Sequence, residues 1–352
     1  MYNFRVPVRT LKTLLVALLA IGALAPHMGA QQSLPFSLFE RYLDALRQQS
    51  GIPGLSAAIA HNDRLVWDRA FGYQDVAAFE TTRSDTPYPI LDLSQTFSAT
   101  VLLEQCLDLR SLELTDRVRR WHSQFTEENT TVGQLLSHAA PEGGFKYDTS
   151  RYATLTSVIE QCAQGRYGPL LAETVLNRLG MTDTVPGHDL ADGSPSRQFF
   201  SSGALDRYAA VLRRAATPYR VDSRGRPTRT DYPHASLSAS TGVVSTARDL
   251  ARFDTALDDL LESGTRQRAW EPSESMPTGL GWFVQRHNGE RIVWHFGLAR
   301  DAYSALYIKV PGRDLTLILL ANSDGLAAPY NLSNGNLTVS VFAQLFLKLF
   351  VS

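Results

Sequence analysis

The stretch TPYPILDLSQTFSAT, residues 86–100, runs on into VLLEQCLDL, residues 101–109. From about Ser94 to Leu109 the apolar side chains Phe97, Val101, Leu102, Leu103, Cys106 and Leu107 occupy much of a helical circumference rather than one stripe. A helix that is apolar almost all round belongs inside a large core, so the segments on either side must supply the layers that cover it. On the N-terminal side, Leu55–Ala60 and Leu65–Phe71 flank the polar turn His61, Asn62 and Asp63, the pattern of a β-hairpin. Before them, Leu38, Phe39, Tyr42, Leu43 and Leu46 recur at helical spacing, and that helix stops near Gly51.

On the C-terminal side, residues 187–233 are rich in Gly, Pro, Ser and Arg and read as irregular surface structure around one short helix near Asp206–Ala215. A helix over Ala247–Leu261 follows, with Arg248, Asp249 and Arg252 on its solvated face. Strand patterns come next at Gly281–Arg286, Ile292–Phe296, Tyr303–Val310 and Leu315–Ala321, where Trp282 and Trp294 read as core, and helical periodicity closes the chain over Val339–Leu349. Strands near both ends with helices between them predict an α/β (α+β) fold, one sheet closed by both termini with a helical lobe inserted. The sheet part is expected over about 31–88 and 235–352, and the lobe over about 89–234.

The chain has 352 residues, 44% hydrophobic and 20% charged, and a formal net charge of −1. This composition excludes a disordered tail and a nucleic-acid binder carried by bulk positive charge. Arg5, Arg9 and Lys12 precede an apolar run over Leu14–Ala25 that ends in small residues, which reads as a signal peptide over 1–30, cleaved after Ala30. That run is well short of the ~20 residues needed to span a bilayer, so a protein exported to the periplasm or beyond the cell is expected, with no transmembrane segment in the mature chain. Export permits a bridge between Cys106 and Cys162, although two buried free thiols fit the helical patterns equally.

Several segments, in order, resemble the serine β-lactamase and D-alanyl-D-alanine peptidase family, in particular its class C and esterase-like branch. They are residues 86–100, LELTDRV (112–118), LLSH (135–138), FKYDTSRY (145–152), RLGM (178–181), GVVSTARDLARF (242–253), GLGW (279–282) and WHFG (294–297). The resemblance implies an antiparallel sheet flanked by helices beside a mostly helical lobe, with the active site between. It implies three catalytic elements: Ser-x-x-Lys at the start of the buried helix, Tyr-x-Asn or Tyr-x-Ser in the lobe, and Lys or His-x-Gly on a strand that helps to form the oxyanion hole.

Carried over, the first element falls on Asp92 in the serine's place and Gln95 in the lysine's. The second keeps Tyr147 but has Thr149 two residues on, and the third survives as His295, Phe296 and Gly297, followed by Leu298. A glutamine amide accepts no proton at any relevant pH, and an aspartate attacking an acyl carbonyl would form a high-energy mixed anhydride. Its charge would also repel a substrate carboxylate by a few kcal/mol at ~4 Å and an effective dielectric near 20. The expectation is therefore an exported relative without the Ser/Lys pair, non-hydrolytic, using a retained cleft to bind or regulate. Tyr147, Thr149, His295, Gly297 and Leu298 would line that cleft, and the ligand would be a small molecule, a peptide or a cell-wall fragment.

The alternative is hydrolysis of an ester or amide through Ser94 as a displaced nucleophile or Asp92 as a general base. Against it, Ser94 reads as a packing hydroxyl, because it lies about 200° around a helix from position 92, and Asp92 reads as the cap of the buried helix. His138 reads as a structural histidine. No metal or other cofactor is called for.

Overall fold

The computed structural model describes residues 29–191, 193–233, 235–272 and 276–352, with side chains from Leu34 onward. The leader expected over 1–30 lies outside the described residues except for Gly29 and Ala30, where the first helix begins.

The strands are β1 (Gly54–His61), β2 (Leu65–Asp75), β3 (Glu80–Thr81), β4 (Tyr88–Pro89), β5 (Tyr219–Val221), β6 (Pro227–Arg229), β7 (Val244–Ser245), β8 (Phe283–His287), β9 (Glu290–Ala299), β10 (Tyr303–Val310) and β11 (Leu315–Ala321). Seven of them form one antiparallel sheet in the order β3-β2-β1-β11-β10-β9-β8. The expected closure by both ends of the chain is the β1–β11 pairing, with Leu55 opposite Ala321 and His61 opposite Leu315. β4 pairs with β7, and β5 with β6, as separate ribbons.

Alternation along the strands gives the sheet two buried faces. Leu55, Ala57, Ile59, Leu306, Ile308, Leu317 and Leu319 face α1 (Gly29–Gln49) and the C-terminal helix Val341–Phe350, meeting Phe39, Leu43, Phe342 and Phe346. Trp294 lies on this face, and Trp282 is buried in the opposite core. Ala58, Ala60, Val293, Ala305, Tyr307, Ile318 and Leu320 face the second core, which includes the buried helix. His295 shares the parity of Val293, so its side chain points toward this second layer.

The predicted helix over 94–109 forms as a 3-10 turn (Leu91–Leu93), then α2 (Ser94–Leu102), then a π-helical stretch (Leu103–Asp108). Every residue of α2 is buried, five polar side chains included. Three of these turn their hydroxyls back onto helix carbonyls: Thr96 to Leu93 O at 2.8 Å, Ser98 to Gln95 O at 3.0 Å and Thr100 to Thr96 O at 2.8 Å. Such bonds let polar residues enter an apolar core without an unsatisfied donor. Phe97 stacks on Phe253, centroids 4.2 Å apart, and Cys106 is bridged to Cys162 with Cα atoms 5.8 Å apart.

Three local expectations change. The helix placed over 247–261 breaks at Ala256 into Ala247–Thr255 and Leu257–Leu260. Asp249 is fully buried rather than solvated: it accepts from Asp183 N and Thr184 Oγ1, each at 2.9 Å, and pairs with Arg252. The short helix placed at 206–215 starts earlier, at Ser202, because Ser201 caps it by accepting from Ala204 N. The 187–233 stretch is otherwise 3-10 turns and the β5–β6 ribbon. Elsewhere, Asp254 ties its helix to the sheet through Tyr307, Lys309 Nζ at 2.9 Å and Thr316 Oγ1 at 3.0 Å, a buried cluster that pairs the lysine as burial demands.

Candidate functional site

The backbone is strained just before α2, where buried Leu91 adopts φ +58°. A bulky L-residue rarely occupies this left-handed region, and such outliers persist where surrounding structure holds them, often at functional sites. What holds Leu91 is β9. A Cβ on Gly297 would come 2.2 Å from Ile90 O and 3.1 Å from Leu91 Cβ, so only glycine lets the strand lie against this turn. Gly297→Ala is expected to lower Tm by several degrees, through overpacking of about 1–3 kcal/mol; an unchanged melting curve would show that the contact yields freely.

The turn aims Asp92 at the strand. Asp92 Oδ2 accepts a hydrogen bond from Leu298 N at 3.1 Å. This corrects the capping expectation, since neither the 3-10 turn nor α2 has a side-chain cap. The carboxylate reaches sideways to β9 because the left-handed Leu91 turns the chain there. Asp92 is partly exposed, yet desolvation pushes its carboxyl up to about 7, against hydrogen bonds from Leu298 N–H and its own N–H that favour the charged form. Two backbone N–H groups thus converge on one carboxylate, the arrangement that stabilises an oxyanion.

One helical turn on, fully buried Gln95 sits between His138 and Tyr147. His138 Nδ1 accepts from Asp148 N at 3.3 Å, which leaves the proton on Nε2, 2.8 Å from Gln95 Oε1. That orients the amide so that Nε2 donates to Tyr147 Oη at 3.3 Å. The His138 ring lies between Tyr147 and Tyr152, centroids 4.5 and 5.0 Å away, and burial lowers its pKa to about 3. His138 is thus a structural histidine, as expected, but it also sets the conformation of a site residue. Like Leu91, it has positive φ, at +52°. Tyr147 packs on Phe283 and Phe296, and its hydroxyl is raised well above the usual value by burial and then by the Asp92 charge.

His295 is buried, with Nδ1 2.9 Å from Phe296 N, and burial lowers its pKa to about 4. Thr149 opens the helix Thr149–Ala153 and is partly exposed, but the hydrogen bonds around Gln95 run to His138 and Tyr147 and not to it. Ser94 is fully buried, and its Oγ accepts from Val243 N at 3.3 Å. The structure thus brings together Asp92 with Leu298 and Gln95 with Tyr147, and adds His138. His138 lies in the LLSH segment that carries part of the resemblance, but its bond to Gln95, 43 positions away, has no signal in local spacing.

The beta-lactamase family model matches residues 39–338. The chain belongs to the beta-lactamase family. Among curated relatives, the D-aminopeptidase of Brucella canis is 27% identical over 148 residues, 42% of this chain and 27% of that protein, so this family member spans about a quarter of that relative. Protein flp of Staphylococcus aureus is 21% identical over 80% of this chain and 62% of its own length. The fold is also that of the octameric penicillin-binding protein homologue from Pyrococcus abyssi (TM-score 0.72, 18% identity, covering 89% of this chain and 77% of the other). It is shared by D-amino acid amidase from Ochrobactrum anthropi (TM-score 0.70, 18% identity, 89% and 98%). The β-lactamase-like fold that the sequence motifs imply is therefore the observed one. Among the described residues of this beta-lactamase-family chain, no helix is long and apolar enough to cross a membrane, and no group of three or more His, Cys, Asp and Glu side chains is placed to hold a metal ion.

Proposed function

We propose that this chain is a non-hydrolytic member of the family, exported by its N-terminal segment, which uses the cleft around Asp92 and Tyr147 to bind a small-molecule, peptide or cell-wall-derived ligand. The observation that carries this reading is the bond from Leu298 N–H to the Asp92 carboxylate. The side chain in the serine's place rests its own carboxyl oxygen on a donor that an acyl oxyanion would need, while the neighbouring Gln95 amide is locked between His138 and Tyr147 and takes no proton. Intact-protein mass after incubation with a reactive penicillin, and separately with a fluorophosphonate, is expected to stay unchanged. An adduct on the wild type that disappears in Ser94→Ala would overturn the reading in favour of a displaced nucleophile.

A second reading rests on Asp92 alone. A carboxyl held at about 7 has the affinity of a general base at neutral pH, and such a base would activate water toward an ester. Wild-type turnover of a simple aryl ester that is abolished by Asp92→Asn would establish it; no turnover by the wild type discards it.

A further inference from the structure

The helical lobe holds a cavity of about 140 Å³, lined by none of the residues of the Asp92 site. Thr156 and Glu160, one turn apart on the helix Leu155–Cys162, form one wall, and Tyr167, Gly168 and Pro169 of the helix Tyr167–Leu171 form the next. The 187–233 stretch adds Gly187, Asp189, Leu190, Phe199 and Phe200. The segment around Leu237 separates this cavity from the Asp92 turn: Leu237 faces the cavity, while Ala235, Thr241 and Val243 lie with Leu91 on the other side. That wall is fixed, because Thr156 Oγ1 accepts from Ala239 N at 2.8 Å and Ser98 Oγ of α2 donates to Ala239 O at 2.6 Å. A well-formed, mostly apolar cavity with a few placed polar groups is the ordinary form of a small-molecule site.

Its size and its one open acceptor define what fits. An apolar cavity of about 150 Å³ takes up benzene, so this one holds a single six-membered ring. Gly168 keeps that space open, since a Cβ there would already come 3.3 Å from Phe200 Cζ. At the rim Glu160 and Arg166 neutralise one another: Glu160 Oε1 accepts from Tyr167 N at 3.1 Å, Oε2 accepts from Arg166 Nη1 at 3.4 Å, and the guanidinium lies 5.7 Å from the centroid of the Phe199 ring. Asp189 differs, because its Oδ2 accepts from Ser194 Oγ at 2.8 Å while Oδ1 accepts nothing among the described residues. Oδ1 stands at the Gly187 wall, 2.7 Å from where a Cβ on that glycine would be. A carboxylate ligand meets like charge here. An ammonium brings three donors to one open carboxylate oxygen among apolar groups, which leaves N–H groups unsatisfied. A hydroxyl on a ring brings one donor to that one acceptor.

We infer that the lobe cavity is a second binding site, separate from the Asp92 cleft, for a neutral single-ring aromatic that carries a hydroxyl. The ring lies among Phe199, Phe200 and Leu237, and the hydroxyl donates to Asp189 Oδ1. This goes beyond the binding role proposed above and stands without it, since the two sites share no lining side chain. A free phenol and the tyrosine side chain of a peptide share this chemistry.

The test is isothermal titration at pH 7 with p-cresol and with p-xylene, which have the same shape and differ by the hydroxyl, and with benzoate and benzylammonium as the charged arms. The wild type is expected to bind p-cresol at least tenfold more tightly than each of the other three, the scale of a hydrogen bond to a charged acceptor. Gly168→Leu, which fills the cavity, is expected to abolish p-cresol binding, and Phe199→Ala, at an exposed position, to weaken it at least threefold. The comparison of the four ligands on the wild type decides the matter even if a variant folds poorly. N-acetyltyrosinamide separates the two sources: binding comparable to p-cresol assigns the site to a tyrosine side chain, and p-cresol binding alone assigns it to a free phenol. No binding of p-cresol, equal binding of p-xylene, tighter binding of either charged ligand, or p-cresol affinity unchanged in a folded Gly168→Leu would each overturn the inference.

Discussion

Asp92→Ser and Gln95→Lys made together are expected to give a protein that is acylated by a fluorophosphonate or a reactive penicillin and hydrolyses an aryl ester at least about 10³-fold faster than the wild type, the scale on which removal of a nucleophile acts in serine hydrolases. Serine at 92 would vacate the N–H groups of Leu298 and of residue 92, which the Asp92 carboxylate now occupies, and would put a hydroxyl beside them. Lysine at 95 would bring an amine near Tyr147 Oη, where Gln95 Nε2 now lies at 3.3 Å. A lysine in so buried a position has a lowered pKa and is therefore a competent base. One contact resists the change: His138 Nε2–H now faces the Gln95 carbonyl oxygen at 2.8 Å, and an ammonium there would oblige the ring to move its proton to Nδ1, at the expense of the bond from Asp148 N. The single variants are expected to gain little, since Asp92→Ser lacks a base, and Gln95→Lys lacks a nucleophile and would ion-pair with Asp92. A gain in the double variant far above the product of the singles is the signature of a unit that acts together. A folded double variant that stays unmodified would mean that the cleft has lost its acylating geometry as well as its residues.

Asp92→Asn is expected to raise Tm by several degrees at pH 8 and to leave it nearly unchanged at pH 4. The folded carboxyl titrates at about 7 against an ordinary 3.8, so between those values the folded state keeps a proton that the unfolded chain has released. Its contribution to stability is complete below pH 4 and is lost as pH rises through 7, a loss of up to about 4 kcal/mol. His138 and His295 act in the opposite sense. Their folded values of about 3 and about 4 lie below the ordinary 6.5, so stability is complete above pH 6.5 and falls as acid is added. Two histidines against one carboxyl give a net rise toward pH 6.5 and a decline beyond it. Wild-type Tm should therefore peak near about pH 6.5, and Asp92→Asn should rise about twice as steeply from pH 4 to pH 6.5 and lose the small decline that follows. Parallel profiles for the two proteins would show that Asp92 is not the desolvated group.

These two expectations differ in how much of each could be read from the chain alone. That positions 92 and 95 face one another's chemistry follows from their spacing at the start of an all-round apolar helix, and the places of the last strands follow from apolar runs such as Tyr303–Val310 and Leu315–Ala321, whose bounds the structure reproduces. Boundaries failed where a local bond decided them, as with the Ser201 cap or the break at Ala256. Burial failed at Asp249, because its partners Asp183 and Thr184 lie more than 60 residues away and no helical pattern reports them.

The amino-acid sequence by itself determined the family, the alternation that gives the sheet two buried faces, and the absence of serine and lysine at 92 and 95. Only the tertiary structure decided what the replacements do. Asp92 meets Leu298 across 206 positions, and Gln95 meets His138 across 43. Local propensity made Asp92 a helix cap; the left-handed turn at Leu91, held by Gly297 where no Cβ fits, sends its carboxylate to the strand instead. Desolvation then sets its charge, and desolvation depends on every chain segment that packs around the group rather than on the residues that precede and follow it.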